Sequence, residues 1–178
     1  KKKTSEKVRE QVKVLYYNSK EDFAIKLLTK SNDEVIISRG NKANTFGKIY
    51  AEIKENNENF KGSKNIEEDE IVKIPNIDFK LKKEFNEIEA KPFLFASGEE
   101  YVIEKAVQTI EFSLDEKGGR VKSEAGMTNK TTALLPDLEP REFLVNDTFC
   151  IFLKEKDKEL PYFAAKISDI TQVQIVEN

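Results

Sequence analysis

The chain has 178 residues with a net charge of −3, and its apolar and charged fractions are 38% and 35%. With 12 Phe and 5 Tyr it can still build a core, which excludes a wholly disordered chain, while 7 Gly and 5 Pro exclude collagen-like and Pro-rich classes. Its length suits one domain or two small ones on the usual scale of roughly 100–200 residues.

His and Trp are absent, and Cys150 is the single cysteine. The chain therefore lacks the means for a Ser-His-Asp or Cys-His nucleophile system, an imidazole acid–base catalyst, a His- or Cys-rich metal site or an internal disulfide. The 30 basic and 33 acidic residues are interspersed, apart from Lys1–Lys3 and the acidic run Glu67, Glu68, Asp69, Glu70. No basic face for nucleic acid is expected, and no apolar run approaches the ~20 residues of a membrane span. The first residue is Lys rather than Met, so a processed or engineered start is expected.

In chain order, the first ten residues are polar and expected to be frayed or helical. Val12–Tyr17 and Phe23–Leu28 read as strands joined by the polar Asn18–Asp22, a hairpin. Glu34–Ser38 is another β-like run. Phe46, Ile49, Tyr50 and Ile53 recur at helical spacing, with Asn44 or Thr45 to cap the start. Asn56–Glu70 is polar and reads as a surface loop, its carboxylates as solvated charge. Ile71–Leu81 is β-rich around Pro75, which points to an edge or a bulge, and Lys82–Ile88 reads as a short helix.

Val102–Leu114 is the longest β candidate. Ile110, Phe112 and Leu114 alternate there with Thr109, Glu111 and Ser113, so one face should be buried. The segment from Asp115 to Glu139 has no apolar period, and loops beyond ≈ 12–15 residues are usually functional or disordered. Phe149–Leu153 and Tyr162–Ile167 flank the charged turn Lys154–Glu159. They form a C-terminal hairpin whose first strand is apolar on both faces and so belongs deep in a core. Cys150 within it reads as an inert thiol. Asn129 and Asn146 start N-glycosylation patterns, which also occur by chance.

Four pieces, in order, give the stretch from Ile71 to Gln172 a family resemblance. They are Ile71–Leu81, Ile103–Gly118, Glu142–Phe152 and Pro161–Gln172. Together they resemble the C-terminal part of the serpins. Ile71–Leu81 is similar to the family's Leu-Pro-Lys-Phe segment, with Asn76 for the Lys. Ile103–Gly118 resembles the strand entering the reactive-loop hinge, with Gln108 where His is usual. Glu142–Phe152 has Asn146, Asp147 and Thr148 in place of Asp-His-Pro before a core strand. Pro161–Gln172 resembles the closing strand.

The resemblance implies an α+β, β-rich serpin-like fragment, with antiparallel sheets, few helices and a long exposed reactive-type loop before a C-terminal core hairpin. A single serpin-like region is expected over 1–178: hairpin, helix and polar loop in 1–70, sheet strands and hinge in 71–119, exposed loop in 120–140 and core hairpin in 141–178. A full serpin is about twice this length, so the chain would be part of a longer or cleaved protein or a reduced fold.

By the same resemblance the function is protease inhibition. The loop is bait, and after cleavage it inserts into the central sheet and traps the protease. The hinge would be Glu116, Lys117, Gly118 and Gly119, followed by Val121, Ser123 and Ala125 on one face, with Arg120, Lys122 and Glu124 on the other. If the small set faces inward, the charges stay in solvent and insertion is sterically possible. The family's spacing puts the scissile bond near Thr132–Ala133, with Leu134 or Leu135 as alternatives, and a leucine there would favour a chymotrypsin-like target. The expected partner is a serine or cysteine protease. A missing N-terminal half, or another copy by strand exchange, would cover open edges near Ile71–Leu81 or Val102–Leu114. No catalytic residue, cofactor, metal, nucleic acid or membrane span is expected, and the compartment implied is extracellular or cell-surface, with the cytoplasm open. Two alternatives stand: a non-inhibitory serpin-like binding or structural module that has lost insertion, and an enzyme on an unrelated β-rich scaffold.

Overall fold

The structure, a computed structural model, describes residues 6–114 and 139–168. They form two compact units, one from residues before Ile77 and after Leu114, the other from Ile77–Leu114. Both are strand-rich, with mostly antiparallel pairing and few helices, as the expected fold class requires.

The first unit opens with a short helix, α1 (Glu6–Gln11), that runs directly into β1 (Val12–Ser19). Every second side chain of β1 is buried from Val12 through Val14 to Tyr16, the period of a strand with one covered face. β2 (Asp22–Leu28) closes the expected hairpin, and β3 (Asp33–Arg39) follows. The last two strands, β10 (Phe149–Glu155) and β11 (Phe163–Ile167), are far away in sequence but complete the same five-stranded sheet, in the order β1-β2-β3-β10-β11. Cys150 pairs with Ser38 on one side and Lys166 on the other. The double apolar character of β10 is thus explained: it is an interior strand with both faces covered, and Phe149 to Phe152 are all buried.

One face is covered by α2 (Phe46–Asn59). Thr45 caps it, its Oγ1 accepting from the Lys48 amide at 3.4 Å. Ile49, Tyr50 and Ile53 bury against Tyr16, Ala24, Ile36, Cys150 and Phe152. The rings of Phe46 and Tyr50 lie 6.2 and 5.5 Å from that of Phe152. Strand alternation sends Phe23, Ile25, Ile37, Phe149 and Ile151 to the opposite face. There the short parallel pair of β4 (Ile71–Lys73) and β9 (Glu142–Leu144) brings in Phe143, whose ring sits 5.4 Å from Phe23 and 5.0 Å from Tyr17.

Between β2 and β10, Glu34 on β3 accepts from Lys26 at 2.8 Å and pairs with Lys154 at 3.2 Å. Burial pushes its carboxyl upward, but the two ammonium groups outweigh that and hold it below the usual carboxylate range.

The second unit consists of two antiparallel ribbons. β5 (Ile77–Glu84) pairs with β8 (Val107–Leu114), and β6 (Pro92–Leu94) pairs with β7 (Glu100–Val102). Among the described residues each of these strands has a single partner, so each ribbon carries two open edges.

Four local expectations are corrected. Asn56–Asn59 belong to α2 rather than to a loop, and Ile66 and Glu70 beyond it are buried, so that stretch is no simple solvated surface. Lys82–Ile88 is not helical: β5 runs to Glu84 because Lys82, Lys83 and Glu84 meet Thr109, Gln108 and Val107 across the ladder, and backbone pairing overrides local helix propensity. Pro75 lies in the break between β4 and β5, so the apparent single run is two strands in two different sheets. Similarly, Val102–Leu114 splits into the end of β7 and the whole of β8.

The folded-state carboxyl of Glu34 lies below its ordinary value of 4.5, so its contribution to stability is full above that value and disappears as pH falls through the lower folded value. Glu34→Gln should cost about 2 kcal/mol near neutrality, and the gap to the parent should narrow in denaturant titrations as the pH drops below 4.5. A pH-independent gap would assign the effect to packing instead.

Candidate functional site

The hinge residues Glu116, Lys117, Gly118, Gly119, Val121, Ser123 and Ala125 lie outside the described residues, as do the scissile-bond candidates Thr132, Ala133, Leu134 and Leu135. The sequon residue Asn129 lies outside them too. The structure does place the two chain segments that flank them. Upstream, β8 ends at Leu114, which pairs with Ile77; Phe112 and Leu114 are half-buried while Thr109 and Glu111 face solvent. The carboxylate of Glu111 is paired with the Lys80 ammonium across the ribbon.

Downstream, the chain re-enters the first unit at Arg141, and two arginines fix it there. Arg141 is held bidentately by Glu70: its Nε donates to Oε1, and its Nη2 donates to Oε2 at 2.9 Å. Its remaining donors reach the carbonyls of Ser63 at 2.8 Å and Asn65 at 2.9 Å. The guanidinium lies over the Phe143 and Tyr17 rings, 5.4 and 5.9 Å from their centroids. This fork satisfies a charge that is only 16% exposed, against a carboxylate side chain that is 6% exposed. Backbone bonds then zip the segment down: Ile71 N–H donates to the Arg141 carbonyl and Val145 N–H to that of Lys73. The Glu142 amide also donates to the Tyr17 hydroxyl at 3.3 Å.

Arg39, the last residue of β3, makes the second clamp. Its Nη1 donates to the Leu144 carbonyl and to Asn146 Oδ1, both at 2.8 Å, and its Nη2 lies 3.5 Å from Asp147. The chain can turn sharply after Arg39 because Gly40 adopts φ +80°, and a Cβ there would lie 2.6 Å from the Glu21 carbonyl oxygen.

Beside this clamp a partly open cavity of about 250 Å³ is lined by Arg39, Asn41, Ile49, Thr148, Cys150 and Lys166, among others. Cys150 is buried, and burial pushes its thiol up despite the opposing influence of Lys166 and Asn41, which makes it a poor nucleophile. Burial, reinforced by Asp22, also drives the Tyr16 hydroxyl well above its ordinary value. Among the described residues no three His, Cys, Asp or Glu side chains gather as a metal site requires. Nor is any described helix long and apolar enough to cross a membrane.

Sequence reasoning did not single out Glu70, Arg141 or Arg39. Glu70 sits in an acidic run, and its partner is 71 positions away. The one available signal is its place directly before the β run of Ile71 and Val72, where a charge is about to enter a packed layer.

No family model matches the sequence, and no curated protein matches it. Among solved structures the chain is similar to Serpin48, described as a highly specific serpin in the insect Tenebrio molitor. The likeness has 18% identity and a TM-score of 0.45, over 87% of this chain and 43% of the other. The chain thus spans less than half the length of that protein, a serpin, the family its sequence resembles.

The Arg141 fork should be the weak point of the downstream anchor. Glu70→Ala strands the guanidinium among buried groups and should cost about 3–5 kcal/mol. Amide exchange in β9 should quicken with it. Arg141→Lys should quicken it as well, since an ammonium cannot make the bidentate pair. Unchanged exchange in either variant would show that the backbone pairing of β4 with β9 holds the segment unaided.

Proposed function

We propose that this chain is the C-terminal part of a serpin-type protease inhibitor and that the segment from Glu116 to Pro140 is its reactive loop. One observation carries the proposal: the four serpin-like pieces occur in order, and the unassigned segment of about 25 residues falls where the family has its bait loop, a length beyond ordinary connections. The anchoring of Arg141 is compatible with it, since a bait loop needs a fixed downstream end against which strain can be held.

The mechanism follows from stored free energy. A strand-competent segment is kept out of a sheet until cleavage frees one end, and the fall in free energy on insertion drags the acylated protease with it. Insertion buries alternate residues, and an unpaired charge among them costs several kcal/mol. In this reading Gly119, Val121, Ser123 and Ala125 go inward while Arg120, Lys122 and Glu124 remain in solvent. The bond cut lies at Thr132–Ala133 or beside Leu134 or Leu135, and the target is a chymotrypsin-like serine protease or a cysteine protease. The open edges of the β5–β8 ribbon take strands from an N-terminal half or another copy, and the protein acts outside the cell or at its surface. It is an inhibitor rather than an enzyme.

The test is a thermal melt of the native-length protein before and after a single cut between Thr128 and Glu139. Insertion should raise the midpoint by about 10 °C or more, equivalent to several kcal/mol. Val121→Glu should abolish that rise and Lys122→Glu should leave it intact. No rise in the parent would make the protein a non-inhibitory binding module, the outcome that the hinge charges would favour. A rise unaffected by Val121→Glu would overturn the register.

A further inference from the structure

The second unit carries a surface that the inhibitor reading does not use. In the β6–β7 hairpin, Phe93 pairs with Tyr101 across the two strands, and Phe95 follows on the same face. The three rings touch, with centroids 5.1 to 6.2 Å apart, yet Phe93, Phe95 and Tyr101 stay 41, 56 and 47% exposed. Leu94 and Val102, on the other face, are exposed as well. A hairpin this short, apolar on both faces, is an exposed patch of the kind that marks interaction sites.

Charge indicates what it fits. Between Asn86 and Glu104 there are five carboxylates, Glu87, Glu89, Glu99, Glu100 and Glu104, against one ammonium, Lys91. The Glu99 carboxylate is held at the rim of the rings, accepting from the Tyr101 and Ser97 hydroxyls, both at 3.2 Å. The loop itself is fixed by a Phe95–Glu99 backbone bond and by Gly98 at φ +83°. A cation lying on these rings would gain the attraction of their faces together with that of a preset carboxylate. The same charges would repel an anionic lipid surface and a second copy of this hairpin.

We infer that the hairpin is a docking site for a basic, apolar segment of a partner protein, with an Arg or Lys side chain on the Phe93–Phe95–Tyr101 face beside Glu99. The inference does not depend on the inhibitor reading.

Three short synthetic peptides, alternating Arg with Val, Arg with Ser and Glu with Val, are titrated into the full chain by calorimetry. The Arg-Val peptide should bind saturably, and the other two should bind at least about tenfold more weakly. Phe95→Ser should weaken Arg-Val binding by about tenfold. Glu100→Lys, an exposed change that leaves the ring contacts in place, should weaken it several-fold, and unchanged circular dichroism would confirm the fold of both variants. The proposal is overturned if the Arg-Ser peptide binds as well as Arg-Val, which would mean charge alone. Equal binding by Glu-Val, unaltered binding to Phe95→Ser, or no binding at all would also overturn it. So would self-association of the chain that Phe95→Ser abolishes, because the occupant would then be a second copy.

Discussion

The first unit depends on the placement of β10 between β3 and β11. Phe149, Cys150, Ile151 and Phe152 are all buried, two toward α2 and two toward the opposite face, and Cys150 faces Ser38 from more than a hundred positions away in sequence. Closing so long a loop costs entropy that grows only slowly with its length. A strand with no polar face has no favourable place at an edge, so the apolar surface on both sides of β10 drives that closure. Without it, β3 would become a bare edge, α2 would lose Phe152 and the Glu34 carboxylate would lose Lys154.

Once β10 is in place, the chain just before it has little freedom. Arg39 at the end of β3 and Arg141 before β9 grip the backbone from 141 to 147 from two sides, one through carbonyl and amide oxygens and the other through the buried Glu70 carboxylate. Bidentate and charge-assisted geometry gives such clamps directional stiffness that apolar packing lacks. Phe143, wedged against Tyr17 and Phe23, adds the apolar half of the grip. The backbone from 141 to 147 is thus held by charge-assisted bonds as well as by apolar packing.

Where one strong local pattern decided an element, the sequence showed it. The β1–β2 hairpin, the capped start of α2 and the both-faces-apolar character of β10 were all legible, because each is written in contiguous residues at a period of 2 or 3.6. Most of the failures share one cause: the deciding partner was distant. Lys82–Glu84 extend a strand because of Val107–Thr109, and Glu70 is buried because of Arg141. The end of α2 was missed for a different reason, since a polar helical turn carries no apolar period to announce it. The aromatic face of the β6–β7 hairpin was hidden too, because Tyr101 follows Phe95 only after a polar turn and the rings gather only through the Phe93–Tyr101 pairing.

In the proposed function, the segment following β8 is a bait whose cleavage captures a protease. The most direct measurement is denaturing electrophoresis with mass spectrometry after the native-length protein meets a chymotrypsin-like protease. A covalent adduct that survives denaturation is expected. Its mass should equal that of the protease plus the inhibitor less the fragment released after the cut, with the new end mapping between Thr131 and Leu135. Complete cutting in that interval with free, fully active protease and no adduct would contradict it.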